Sequence, residues 1–398
     1  MPTVYRTHPG VGIARVGDSP DGFFIGPELV DATPLELDGN GNDVPFTTYK
    51  KNGLIKRQGA RFRVFAYDDG APANPREVVA SDRIQIVWRV QLVNRKAAWT
   101  GAVQPRFAPR NPQFVSDVDR NQLVIAPDVR TITGANKFGV KFDNGSFLGM
   151  NVPLGELRTD AASRLVVLGG HGKSGADRND RAIGGDNFAD NPWWYDDVSD
   201  GPVTAAVTVD GMAQTVESAW VIVAPPDFAP AVGGAVSLYD VMQQVAVESL
   251  HLAKPAQPSF TADIQPILRR CASLQWTHDS ILWTRIPQNW QDLCNATGPT
   301  ADKLRRDTTT RLSGRLPLRG TGNPGDMLQL TPTQKEFLKA WADGNFVRDW
   351  GQAPKPSLAN PSDVDRGPLD AAVGGGFFPG IEAGNRVNDP SIYANPSA

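Results

Sequence analysis

Cysteine and histidine are scarce in this sequence. Two cysteines, Cys271 and Cys294, stand in 398 residues and form neither a CxxC unit nor a zinc spacing. A disulfide framework is thereby excluded, and the core must hold by burial. The four histidines, His8, His171, His251 and His278, are scattered, with no HExxH. A histidine metal centre would have to be assembled by the fold, and surface or core roles are the plainer reading. No run of about 18 apolar residues exists, so no transmembrane helix is expected. The opening MPTVYRTHPGVGIARVGDSP lacks a basic start followed by an apolar stretch, the pattern of a cleavable signal peptide. Net charge is −3, which leaves no basic excess for a phosphate backbone. A cytoplasmic protein without nucleic-acid or membrane partners is the expectation.

What is present reads as β-rich first and helical later. In 83–93, Ile84, Ile86, Trp88, Val90 and Leu92 alternate with Gln85, Arg89 and Gln91, the period of a half-buried strand. In 61–67, Phe62, Val64 and Ala66 share one face in the same way. Short apolar runs at 164–168 and 219–224 suit buried strands. After about residue 235 the spacing becomes helical. The segment 237–252 places Leu238, Met242 and Val245 on a stripe. A second helix starts near Thr261 or Asp263 and carries Cys271 on its apolar face, with Pro266 in its first turn. Thr331-Pro332-Thr333-Gln334 is a capping box with proline at the first helical position, and Gly344 is a natural stop. The expected division is a β-rich domain at 1–230, a helical region at 231–350 and an irregular segment at 351–398 carrying FFPGIE. The fold class is α+β: a β-sandwich-like N-terminal part with a smaller helical C-terminal part packed on it.

Chemistry is sparse on first principles. The segment 169–202 holds seven aspartates, Asp177, Asp180, Asp186, Asp190, Asp196, Asp197 and Asp200. Oxygen ligands of this kind suit calcium, but the spacing is not that of a calcium loop, and turn-forming loop residues are the plainer reading. GGHGKSG lacks the spacing of a phosphate loop. Cys271 reads as a small buried hydrophobe, and nothing near Cys294 would activate it. Ten tryptophans read as core anchors.

Eight ordered stretches resemble the family of lysine ε-oxidases and glycine oxidases that contain cysteine tryptophylquinone. They are HPGVGIARVGDSPDGFFIGPE (8–28), LGGHGKSG (168–175), NFADNPWWYDDVSDGPVTAAVTVDG (187–211), AWVIVAPPDFAP (219–230), SLYDVMQQVA (237–246), FTADIQPILRRCASLQW (260–276), LTPTQKEFLKAWADGNFVRDW (330–350) and GGGFFPGIEAG (374–384). The resemblance implies a primary amine or amino acid as substrate, oxidation through a quinone built from the chain's own cysteine and tryptophan, and homo-oligomers.

The resemblance also exposes a departure. In the family the quinone-forming cysteine shortly precedes GGxFFPGIE. Here that position falls at about Ala372, and no cysteine lies within 70 residues of it. The family's tryptophan segment beyond FPGIE has no counterpart before Ala398. The expectation is therefore no standard quinone, with a metal ion as one other route. His278, Asp365 and Asp370 are the candidate catalytic residues. His278 lies upstream of FPGIE, where the resemblance implies a family active-site histidine, and the two aspartates flank the lost cysteine as loop residues able to move protons. Three readings follow: an altered amine- or amino-acid-directed enzyme, an oxidase whose quinone uses Cys271 or Cys294, and a non-catalytic binding or scaffold protein.

Overall fold

The computed structural model describes residues 3–68, 75–99, 111–176, 192–230, 233–277, 280–314, 329–374, 387 and 389–394. The chain divides into two units, 1–227 with 357–368, and 228–356 with 369–398.

The first unit is built on strands. They include β1 (Val4–His8), β2 (Val11–Arg15), β3 (Phe23–Ile25), β4 (Leu35–Leu37), β5 (Arg57–Tyr67), β6 (Ile84–Val90), β7 (Arg130–Thr133), β8 (Val140–Phe142), β9 (Gly155–Thr159), β10 (Leu165–Gly169), β11 (Ser174–Ala176), β12 (Trp194–Asp196), β13 (Ser199–Val209) and β14 (Ala219–Ala224). The main sheet runs β7-β6-β13-β14-β2-β5-β10-β9-β8. It is mixed: β2 lies parallel to β14 with Val11 beside Trp220 and Arg15 beside Ala224, whereas β6 and β13 run antiparallel, Ile84 opposite Val209.

The alternation in β6 buries Ile86, Trp88 and Val90 and leaves Gln85, Val87 and Arg89 exposed. Its Trp88 indole donates to the Ser163 carbonyl at 2.9 Å. Strand β10 is buried throughout, as its unbroken apolar run predicts.

Strand β5 departs from a simple alternation, since both faces are covered. Arg61 lies buried in a set of carboxylates: it donates to Glu28, to Asp43 at 2.5 Å and to Asp160 at 3.2 Å, and Arg63 also pairs with Glu28. Guanidinium groups enter an interior when acidic partners meet them there, and those partners sit 18 to 99 residues away.

The helices include α1 (Leu238–Ser249), α2 (Gln265–Ser273), α3 (Pro299–Ser313), α4 (Pro332–Ala342) and α5 (Pro361–Asp370). The capping box at Thr331 is present, and Gly344 takes a positive φ of 78° just past the end of α4. Before α2 the chain makes a π-helical turn over Phe260–Ile264 rather than an α-turn. Pro266 has no N–H to return to the Ala262 carbonyl, which suits the wider winding.

Helix α5 corrects the expectation of irregular chain there. Asn360 accepts from the Ser362 N–H at 3.2 Å and its side chain bonds Asp363 at 3.0 Å, and Pro361 fits the first helical position. Gly367 is required in this helix because a Cβ would lie 2.4 Å from the Glu28 backbone. Strands before residue 228 and helices after 237 make this an α+β fold.

Candidate functional site

Asp365 lies on α5, where its side chain is about two-fifths exposed. It accepts from the Gly10 N–H at 2.7 Å and stands 2.8 Å from His8 Nδ1. His8 ends β1, with Arg63 opposite it on β5. Its Nε2 lies 2.8 Å from the Tyr67 hydroxyl. Partners assign the tautomer. A carboxylate can only accept, so Nδ1 carries a proton; in the neutral ring Nε2 then accepts from Tyr67. The result is a hydroxyl–imidazole–carboxylate chain of the kind that orients a proton acceptor.

Its surroundings favour neutral partners at the inner end. Tyr67 is 6% exposed. Burial pushes its phenol above the usual range, with the Asp365 charge adding to the effect. The His8 ring meets Phe65 edge-on at 5.5 Å. The arrangement can hold a proton at Tyr67 or His8 and pass the charge outward to Asp365. Sequence reasoning named Asp365 but missed His8 and Tyr67. The available signal was His8 heading the first family-like stretch, HPGVG.

Asp370 occupies a different environment in the second unit. Arg270 donates to it at 2.7 Å and to Asp240 at 2.5 Å, and Arg269 lies 3.7 Å away. Asp240 also closes the capping box of α1 with Ser237. Burial pushes the Asp240 carboxyl up, while the Arg270 charge works against that shift. One buried guanidinium thus holds two buried carboxylates. Asp365 and Asp370 both stand in α5, not in a loop. His278 lies outside the described residues, as does the FFPGIE stretch.

Ala372 is 3% exposed, and its carbonyl accepts from the Leu238 N–H at 2.8 Å. Val373 bridges to Ser237, and Gly374 donates to the Val236 carbonyl at 3.0 Å. The thiols lie elsewhere and are buried. Cys271, on α2, is pushed up to about 12 by burial. Burial also raises the Cys294 thiol, against the pull of the Trp350 backbone. Neither environment favours a thiolate.

Of the seven aspartates in 169–202, the first four lie outside the described residues. Asp196 pairs with Lys96 at 2.5 Å and Asp200 accepts from the Trp220 indole at 3.0 Å. Among the described residues no group of three or more His, Cys, Asp or Glu side chains is placed to hold a metal ion.

The family model for the L-Lysine epsilon oxidase N-terminal region matches residues 8–223, more than half of the chain. The chain belongs to the L-lysine epsilon-oxidase family. The model of that family's C-terminal domain matches residues 313–397. L-lysine 6-oxidase of Marinomonas mediterranea is 27% identical over 477 aligned residues, which take in 97% of this chain. The chain spans 63% of the length of that curated relative.

Solved structures agree with the family fold. The crystal structure of L-Lys epsilon-oxidase from Marinomonas mediterranea superposes with a TM-score of 0.77 at 24% identity, over 98% of this chain and 67% of that one. Its Schiff base intermediate with L-Lys gives the same values. Among the described residues no helix is long and apolar enough to cross a membrane.

Proposed function

We propose that this family member acts on an amine- or amino-acid-containing substrate through acid–base groups of its own chain, without the standard cysteine tryptophylquinone. The observation that carries this reading is the alanine at position 372. A methyl group cannot form a thioether, so the residue there does not fit the cofactor.

The Tyr67–His8–Asp365 chain is the acid–base set that the fold assembles, and Asp365 is its exposed end. An amine arrives as an ammonium ion. A carboxylate backed by an imidazole can accept a hydrogen bond from it and relieve it of a proton. His278 stays in the proposal as a further acid–base group, on sequence grounds. Asp370 is proposed to fix the chain leading to Ala372 through its hold on Arg270. L-lysine, which the solved relative binds as a Schiff base, is the first substrate to test.

A non-catalytic binding or scaffold role is the second reading. It is favoured by the burial of Tyr67 and His8, each less than a tenth exposed.

Intact mass, visible absorbance and calorimetric titration with L-lysine test these readings together. The calculated mass, no colour, and lysine binding weakened at least tenfold in Asp365→Asn are expected. A gain of two oxygens with loss of four hydrogens, and a visible band, would overturn the proposal. Peptide mapping would then seek the crosslink at Cys271 or Cys294. A colourless protein that binds no amine would favour the scaffold role.

A further inference from the structure

The sequence stretch GGHGKSGA, 169–176, runs from the end of β10 into β11, and β11 pairs with β12 through Ser174 and Asp196. Asp197 follows β12 directly and is 2% exposed. The backbone N–H groups of Lys173 and His171, with its own, favour the charged form of its carboxylate. Gly170 packs flat against that carboxylate, since a Cβ there would lie 2.3 Å from Oδ2 and 2.7 Å from Cγ. One acidic side chain therefore faces Gly170, His171 and Lys173 of a glycine-rich loop.

The hydrogen bonding of Asp197 is incomplete. Oδ2 is buried and has no hydrogen-bond partner among the described residues. No cation pairs with Asp197 there either. The neighbouring charges are already engaged or work against it. Asp196 repels it, although Asp196 is itself held by Lys96 at 2.5 Å and Asn94 at 2.8 Å. Arg57, which faces the His171 side of the loop, pairs with Glu156 at 2.9 Å. His171 is kept toward its neutral form first by burial and then by the Arg57 charge. Lys173 contributes its backbone N–H, and its side chain is exposed.

We propose that Asp197 is a proton-operated latch on the loop 169–176: protonated, it seals the loop, and ionised, it favours opening to water. The reason is the cost of a buried carboxylate with an unpartnered oxygen. Burial foremost, and then the Asp196 charge, push the Asp197 carboxyl up to about 6 against the pull of the backbone donors. The sign follows from linkage. The closed loop binds the proton more tightly than the open one. Closing is therefore favoured most below the ordinary carboxylate value near 4, weakens as pH rises to about 6, and levels off above it. His171 and Lys173, carried on the loop, become more accessible over the same range. The latch does not depend on the proposed amine chemistry.

Hydrogen exchange of the full chain, read by mass spectrometry between pH 4 and pH 7.5, tests the latch. After correction for intrinsic rates, protection of the His171 and Lys173 amides should fall by about a hundredfold. Amides of Val140–Phe142 on β8 serve as the control and should not follow that course. The Asp197→Asn variant keeps the acceptor oxygen and removes the charge, so its loop protection should be flat with pH. A flat wild-type profile, or an equal slope in the variant, would overturn the proposal. If the variant does not fold, carbon-13 titration of Asp197 in the wild type decides. A midpoint near 6 supports the latch, and one near the usual carboxylate value refutes it.

Discussion

Arg270 shows how much a single residue can carry in this protein. Its guanidinium satisfies Asp240 and Asp370, all three nearly buried. Arg270→Met would leave buried Asp240 without its cation and Asp370 with Arg269 alone, at 3.7 Å. A loss of about 3 to 5 kcal/mol is expected in urea unfolding. Neutralising both aspartates in the same chain, with Asp240→Asn and Asp370→Asn, should recover much of it. An unchanged urea midpoint in the single variant would show that the triad is not what holds these groups. The sequence pointed to Asp370 only by its closeness to position 372. Its partner Arg270 lies 100 residues upstream, and Asp240, which shares that guanidinium, further still, so no local pattern could join them. The same holds for His8 and Asp365, separated by 357 residues. Residue types at a site can be read from sequence, but pairings across such distances belong to the fold.

Local signals were most informative where they act locally. The capping box at Thr331 and the alternation in β6 were legible because their partners lie within a few residues. Strand β4, three residues long, depends on more distant help. Its Glu36 accepts from Thr47 Oγ1 at 2.7 Å, the Thr47 N–H at 3.0 Å and Lys56 Nζ at 2.9 Å. Burial alone would raise the Glu36 carboxyl. The hydrogen bonds from Lys56 and Thr47 outweigh it and hold the group down at about 2. An acid depressed in this way adds stability above its ordinary pKa near 4.5, and that stability is lost as pH falls toward 2. The urea midpoint of the wild type should therefore drop between pH 5 and pH 2.5, and drop less in Glu36→Gln. Equal drops would mean that Glu36 contributes nothing to acid sensitivity. The helix α5 was missed for the converse reason. Its proline and glycine content reads as irregular chain, yet Pro361 starts it and Gly367 is needed for close approach to Glu28.

For the molecule as a whole, the family fold comes with two thiols, both on the helical side of the sequence. Both cysteines are buried and free. A thiol reagent should find neither in the native protein and both after unfolding in guanidinium. One thiol instead of two would reveal a crosslink and overturn the quinone-free reading at a single step. The sheet adds a constraint of another kind. Strand β2 sits in the middle of it, between β14 and β5, and its parallel partner ends at Ala224. During synthesis, at about 5 to 20 residues per second, β2 leaves the ribosome roughly ten to forty seconds before β14 exists. For that interval a strand meant for the interior has no neighbour on one side. The sheet therefore cannot close around β2 until the chain has been made through Ala224.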